Sequence, residues 1–555
     1  LNLIRVMPAK GRKSPLIACV PPAYLQSAAP GWAFCLAAMA AHATGFLMMS
    51  SASAQIWLVA FSAVFALAGI AYARSERGDL EDYIVARNSQ GAIATILTLL
   101  ASSLGAWILF SPAQAATWGG LGAVIGYALG AMSPRLVMIP LGRRMRELIP
   151  HGHTLSEFIM ARYGRAMYGL ALLIMLFYLF IALTAEITAI AKLVALLAPV
   201  PLWFTATVVM GATLAYTSYG GLRSSIFTDK IQMLVIVPLL LVLMALGWQA
   251  AGGAAPTIER LSVIAPHLLD PFNAAGLKAG LTFFMAILLT GLFHQGNWQR
   301  VYAARDTRTM RRGFLLGGLL VAPFIFIMGL FGLAFVGMAS GTDSSVALFS
   351  VVMPHAPLWF AIALIPLGLA LVMSSADTAI SAVSSIIAVD LRRLVPHART
   401  STLMRLSRSL IFLLAIPVVI VATQGYSVLY LFLLADLLCS AAAFPVFYGL
   451  FSRRHDGVSA AVGTACGLVS GLMLFPAPGE PALHLLESFV LAAVVPVAVT
   501  LLLGRLRKQR DFDLDQLGAA VRGLTQDTVT CPAHPAHSAY GKGDDALSVF
   551  VDSPK

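Results

Sequence analysis

The sequence predicts an all-α polytopic membrane protein, on three observations. Of its 555 residues 59% are hydrophobic and only 11% charged, with mean hydropathy +0.84, whereas a soluble domain has about a quarter of its residues charged. Apolar runs of about 20 residues, each enough to cross about 30 Å of hydrocarbon as a helix, recur from Ile56 to Leu503. The cations fall in alternate loops, as the positive-inside rule requires of a chain that crosses a bilayer repeatedly.

Taken in order, the apolar runs place spans near 53–74, 93–112, 115–138, 166–196, 202–219, 230–249, 277–297, 313–338, 357–388, 407–424, 427–450, 457–475 and 484–504. That is about thirteen helices. Arg74, Arg77 and Arg87 follow the first, and Arg135, Arg143, Arg144 and Arg146 follow the third. Arg223 and Lys230 flank the turn between the fifth and sixth, and Arg300 to Arg312 follow the seventh. Arg392, Arg393, Arg399, Arg405 and Arg408 follow the ninth, Arg453 and Arg454 the eleventh, and the Arg505–Arg510 run the last. The loops near 197–201, 339–356, 424–427 and 476–483 hold no Lys or Arg. This alternation predicts a multi-pass protein of the cell (inner or plasma) membrane, N-terminus outside and C-terminus cytoplasmic. The net charge of +12 is thereby a topology signal and not a nucleic-acid footprint; the bilayer is the partner.

The chain divides into an N-terminal extension over 1–50, a transmembrane domain over 51–504, and a cytoplasmic tail over 505–555. The extension is Pro- and Ala-rich and begins at Leu1, so translation is expected to start at Met48 or Met49; a signal-like or extra helix over 31–47 is the alternative. In the tail, an amphipathic helix around Leu514–Leu524 is followed by a Pro/His/Gly/Asp-rich segment expected to be disordered. Cys531, His534 and His537 offer three metal ligands there, but two prolines and no fourth ligand favour a solvated tail. The five cysteines give no disulfide framework, and Cys439 and Cys466 read as small apolar residues inside spans.

The stretch Leu371–Asp390 raises the first functional question, because this apolar run holds Ser374, Ser375, Thr378, Ser381, Ser384, Ser385 and Asp377. Ser374, Thr378, Ser381 and Ser385 recur at helical spacing and form one stripe, with Asp377 and Ser384 beside it. A carboxylate facing hydrocarbon costs several kcal/mol, so this face must meet protein or a water-filled path. The second span, Leu97–Trp107, carries Ser102, Ser103, Gly105 and Ala106, small and polar residues that predict a break whose unwound carbonyls suit Na⁺. Gly122, Gly126 and Gly130, like Gly463, Gly467 and Gly471, repeat every four residues and read as helix-packing faces. Glu186 and Asp436 lie inside spans; proton relay or gating is one reading of each, a neutral or paired structural carboxyl the other.

Several separated motifs across about 53–504 make the chain resemble the sodium:solute symporter family. They are Asp82-Tyr83-Ile-Val-Ala-Arg87, Thr154-Leu-Ser-Glu-Phe158 with Arg162-Tyr-Gly164, and Tyr216-Thr-Ser-Tyr-Gly-Gly-Leu222 with Thr228-Asp229 and Gln232. Asn297-Trp-Gln-Arg300 with Ala303-Ala304, and Met373-Ser-Ser-Ala-Asp377 through Asp390-Leu391, complete the set in the family's order. Phe227 stands where the family has tryptophan.

The resemblance implies an inverted five-plus-five helix repeat, over about 93–249 and 277–450, and symport of a small polar solute with Na⁺ and no other cofactor. It implies a sodium site made of the Ser374 and Ser375 hydroxyls and the carbonyls of Ala101, Leu104 and Leu371. It gives Asp229 a part in ion release, and Asp377 of the polar stripe is placed with it as a residue of ion release or coupling. For the solute it points to Ser103, Trp107, Gly291, His294 and Gln295, with Ile287 and Gly291 at positions that are aromatic in the family's proline carriers. Ser103 replaces an aspartate of those carriers, while Gln295–Arg300 and His153–Gly164 are similar to the urea-transporter branch. An amino acid such as proline and a urea-like solute therefore both stay open, as do two roles for His294 and Gln295, bonding the solute or bracing the helix. Two rivals are weaker. An enzyme would need a nucleophile elbow, metal-ligand cluster or phosphate loop, none of which is in the sequence, and a sensor would need a kinase for which the tail of about 50 residues has no room. Proton coupling through Glu186, Asp377 and Asp436 is the stronger competitor to sodium.

Overall fold

The computed structural model describes residues 49–75, 80–395, 400–478, 480, 483–507 and 511–521. The expected translation start at Met48, the 31–47 segment and the Cys531/His534/His537 group lie outside them. The helices are α1 (Ser51–Ser75), α2 (Leu80–Ile84), α3 (Ala92–Ala101), α4 (Ser111–Leu148), α5 (Leu155–Tyr163), α6 (Arg165–Leu197), α7 (Leu202–Ala250), α8 (Ala254–Ile264) and α9 (Ala274–Gly291). They continue with α10 (Gln295–Ala303), α11 (Thr307–Gly337), α12 (Ala347–Val352), α13 (Leu358–Leu394), α14 (Thr400–Ala422), α15 (Val428–Phe447), α16 (Gly457–Leu472), α17 (Leu485–Leu506) and α18 (Leu517–Ala520). Among the described residues, 10 are long and apolar enough to cross a membrane, and α3 and α16 are shorter apolar helices.

Two of the long helices are hairpins. In α7, Gly221 has φ 58, a conformation side-chain-bearing residues avoid. Tyr216 and Thr228 both donate to Oδ2 of Asp377, at 2.7 and 3.0 Å. Twelve residues of straight helix would part their backbones by about 18 Å, so the chain must fold back at Gly221. The expected spans 202–219 and 230–249 are the two arms. In α4, Gly120 has φ 57, and Ala113 and Val124 pack on Gly332 and Gly329 of α11. Eleven residues separate the first pair and three the second, about 16 Å against about 4.5 Å of helix rise. The turn between the second and third spans thus lies at Gly120 and not between 112 and 115. Hydropathy missed it because both sides of the turn are equally apolar.

Small residues set the helix packing. Gly122 lies on Gly276, Gly126 on Gly280 and Gly130 on the Phe283 backbone, which seats α4 against α9. Gly463, Gly467 and Gly471 of α16 lie on Thr500, Pro496 and Ala492 of α17. Without a hydrophobic drive between helices in lipid, such backbone approach supplies the dispersion energy of association.

Outside the spans, α5 starts with a capping box in which Thr154 and Glu157 exchange side-chain and backbone bonds. Glu157 also takes the His153 amide at 2.6 Å, and the His153 ring, fully buried, reaches Glu81 at 2.6 Å and Glu157 at 3.3 Å. Arg87 pairs with Glu81 at 2.6 Å and donates to Pro150 and Gly152 carbonyls, both at 2.8 Å. Burial pushes the His153 imidazole down, but its bonds to Glu157 and Glu81 outweigh burial and raise it to about 9. Burial pushes the Glu81 and Glu157 carboxyls up, and their bonds to His153 outweigh it and leave both below the usual range. A raised histidine pKa stabilises fully below its unfolded value, near 6.5, and the gain is lost as pH rises through about 9. The thermal midpoint in detergent is therefore expected to fall between about pH 6.5 and 9, and His153→Gln should flatten that slope.

The expected tail helix over Leu514–Leu524 is shorter among the described residues, a 3-10 turn at Leu514–Gln516 followed by α18. It docks on α5: the Arg162 guanidinium lies 4.4 Å from the Phe512 ring, the Phe512 amide bonds the Arg453 carbonyl at 3.0 Å, and Leu514, Leu517 and Val521 are buried.

Candidate functional site

The site begins where α3 stops. Ser102 and Ser103 turn their hydroxyls back onto the Leu99 carbonyl, which competes with the helix ladder. Gly105 is extended, and a Cβ there would collide with the Glu186 carboxylate. The chain resumes as a 3-10 helix at Ala106–Leu109, whose first amide, Ala106, donates to Glu186 Oε2 at 2.7 Å. The break is the one that the small residues predict, and Glu186 of α6 caps the segment that follows it.

A second break, which hydropathy did not reveal, separates α9 from α10. His294 caps α10, its Nδ1 accepting the Gly296 amide at 3.1 Å. The carbonyls freed at Gly291 and Leu292 accept Asn297 Nδ2 at 3.0 Å and Trp298 Nε1 at 2.7 Å. Non-helical backbone at membrane depth survives only when re-satisfied in this way.

Opposite the first break, α13 presents Ser374 and Ser375. Ser374 Oγ lies 3.1 Å from the Ala101 carbonyl and 3.0 Å from that of Leu371. Ser375 Oγ lies 3.1 Å from Leu371 O, and Ser375 borders the central cavity. Leu104 is buried in the break, its amide bonded to Leu100 and Ala101 carbonyls at 3.0 and 3.2 Å. Hydroxyl and carbonyl oxygens from α3 and α13 thus converge.

One turn along both helices, about 6 Å away, lies a second polar group. Arg300 of α10 and Asp229 of α7 pair at 3.1 Å with side chains 1% and 0% exposed. Thr98 donates to Asp229, and Arg300 donates to Thr98 at 3.0 Å, Thr378 at 2.8 Å and the Gly296 carbonyl at 3.1 Å. Asp229 Oδ1 has no hydrogen-bond partner among the described residues. Asp377 points elsewhere: Ser225 donates to its Oδ1 at 2.6 Å, and Tyr216 and Thr228 take its Oδ2. It clasps the α7 hairpin. Farther along the stripe, Gln299 reaches Ser381 at 3.3 Å, and Tyr83 and Ser407 meet Ser384 at 3.1 and 3.3 Å.

The central cavity, of about 120 Å³, is lined by Ser103, Trp107, Gly291 and His294 among the residues expected at the solute, together with Ile287. Gln295 is not part of its lining. Its Oε1 accepts the Leu155 amide at 3.0 Å and its Nε2 donates to the His153 carbonyl at 2.9 Å, which ties α10 to the start of α5. The sequence reading did not name Arg135, Tyr127, Tyr178 and Phe432 for the cavity, and it left Glu186 and Asp436 without a role there; all six line it. An arginine counted among loop cations gave no signal that α4 carries it inward.

Helices interrupted at facing points around a central cavity lined by both polar and apolar side chains define the class: a multi-pass membrane transporter. The chain belongs to the sodium:solute symporter family, whose sequence profile matches residues 83–467. It is 24% identical over 493 residues to a spermidine transporter of Candida albicans, covering 84% of this chain and 92% of that one. It is also 24% identical over 342 residues to an osmoregulated proline transporter of Bacillus subtilis, covering 58% of this chain and 68% of that one. Among solved structures, a Na⁺-coupled sialic acid symporter shares the fold with TM-score 0.65 at 17% identity, over 82% of this chain and 98% of that one. The fold is the inverted five-plus-five repeat core of that class. The relatives are transporters, and this chain is not an enzyme.

Proposed function

We propose that the protein couples Na⁺ entry to uptake of a small polar organic solute, an amino acid or a urea-like compound, by alternating access. The observation that carries this is the approach of Ser374 Oγ to the Ala101 carbonyl at the helix break, 3.1 Å, beside the Leu371 carbonyl of its own helix at 3.0 Å. Sodium between Ala101, Leu104, Leu371, Ser374 and Ser375 would tie α3 to α13 and hold the solute-ready form; its loss inward would release the solute. The coupling is differential binding to two states. Asp229, with one carboxylate oxygen unused, is the next oxygen along the path for a departing ion, and Asp377 supports it by fixing the hairpin. Ser103, Trp107, Gly291 and His294 take the solute. The transport unit is 51–504, and the alternation of cations supports an outside N-terminus and a cytoplasmic C-terminus in the cell membrane.

The test is uptake of labelled proline, urea and short carboxylates into proteoliposomes under an imposed sodium gradient and, separately, a proton gradient. Uptake driven by sodium alone is expected. Uptake driven only by protons would transfer the coupling role to Glu186 or Asp436 and overturn the sodium site.

A further inference from the structure

Two opposite charges line the cavity without pairing to each other. Arg135 of α4 donates to Ser103 and, at 2.6 Å, to the Ala131 carbonyl, which uses two of the five N–H groups a guanidinium carries. Its Nε is buried with no partner. Asp436 of α15 is 6% exposed. Among the described residues neither is in an ion pair, although both sit in spanning helices and border the same cavity. Charges kept inside a membrane protein are paired or mark the substrate path.

The third charge is already engaged. Glu186 holds the Ala106 amide and fills the positive end of the outer half-helix, where a solute carboxylate would otherwise be drawn. An anionic group entering the cavity is left with Arg135. Next to Asp436, Trp107 stacks on Tyr127 with ring centroids 5.7 Å apart and meets Phe432 at 6.0 Å. Phe432 lies one turn before Asp436 on the same helix, so the carboxylate has aromatic faces beside it, a favourable seat for an ammonium group. His294 is not a rival cation, because an Nδ1 that accepts a backbone proton keeps the ring neutral, with only its Nε2–H to offer the solute. The cavity of about 120 Å³ is of the order of the roughly 150 Å³ that admits benzene, which suits a small organic solute.

We propose that the solute is a small zwitterion of the amino-acid type, its carboxylate bound by Arg135 and its ammonium by Asp436 against Trp107, Tyr127 and Phe432. This rests on reading the cavity as the solute site of a sodium-coupled transporter. It separates the two solute classes left open above, because a neutral urea-like molecule leaves both charges uncompensated.

The experiment uses the full-length protein in proteoliposomes, with binding of radioactive sodium measured in parallel. Sodium-driven uptake is assayed with proline, glycine betaine, putrescine, urea and acetate, as labelled substrates and as competitors of one another. Uptake of a zwitterion, resisted by the other three as competitors, is the expected result. Asp436→Asn and Arg135→Gln are each expected to raise the half-saturating zwitterion concentration about tenfold or more while sodium binding is unchanged. Sodium-driven uptake of putrescine, urea or acetate without competition by a zwitterion overturns the inference and leaves the transport reading standing. Sodium binding with no uptake of any of the five also counts against it. Absence of both sodium binding and sodium-driven uptake overturns the transport reading itself. The competition series on the unmodified protein decides the question even if a variant fails to fold.

Discussion

Arg300→Leu is expected to be the most destabilising single change in the membrane core. Arg300 and Asp229 are fully buried and 3.1 Å apart, and the guanidinium also bonds Thr98, Thr378 and the Gly296 carbonyl. Forming such a pair costs about as much desolvation as it returns, but removing one partner strands the other charge, at about 3–5 kcal/mol. Asp229 would be left with Thr98 alone. Because the pair joins α3, α7, α10 and α13, the loss should appear as a lower thermal midpoint and a heterogeneous size-exclusion profile in detergent. Asp229→Asn added to Arg300→Leu removes the stranded charge and is expected to recover part of the loss. A single variant as stable as the parent, or a double variant worse than the sum of the singles, would refute the account.

That pair also marks the limit of what the sequence discloses. Apolar length and cation alternation identify spanning helices, because the bilayer imposes both on the chain locally. The glycine repeats are equally local: Gly122, Gly126 and Gly130 lie on one face whatever they pack against, and their reading as a packing face needed no knowledge of α9. The first helix break was legible because Ser102, Ser103 and Gly105 are unusual inside an apolar run. The second was not, since Leu292 and Phe293 are ordinary in a span and the strain is relieved by Asn297 and Trp298, which come later in the chain.

Partnership was least legible. Asp229 and Arg300 are 71 residues apart, and Asp377 meets Tyr216 on one arm of a hairpin and Ser225 and Thr228 on the other, about 150 to 160 residues earlier. Nothing local separates an arginine that ends in water from one that ends against a carboxylate, so Arg135 and Arg300 were both counted as loop cations. Gln295 illustrates the converse. Its motif ties it to a solute-binding segment, yet its side chain bonds the backbone of His153 and Leu155 and does not line the cavity.

Ser375→Ala is expected to raise the sodium concentration for half-maximal uptake about tenfold to a hundredfold, with solute selectivity kept. The hydroxyl is one of five proposed oxygen ligands; a bond to a charged group contributes about 1.5–3 kcal/mol, and each 1.4 kcal/mol is a factor of ten in binding. Alanine removes the ligand without adding volume, and the Leu371 carbonyl to which Ser375 donates at 3.1 Å remains bonded within helix α13, so the fold should tolerate the change. Ser385→Ala is the control. Ser385 lies on the same helix, is buried and, like Ser375 with Leu371 and Val372, bonds back within that helix, to Ala382 at 2.8 Å, but ten residues, about 15 Å of helix, take it away from the break at Ala101. A stripe that merely cements helices would make the two substitutions alike, whereas an ion site makes them differ: sodium dependence should move with Ser375 and stay fixed with Ser385. Equal sodium curves for both variants and the parent would remove Ser375 from the site and leave the helix break without an assigned ion.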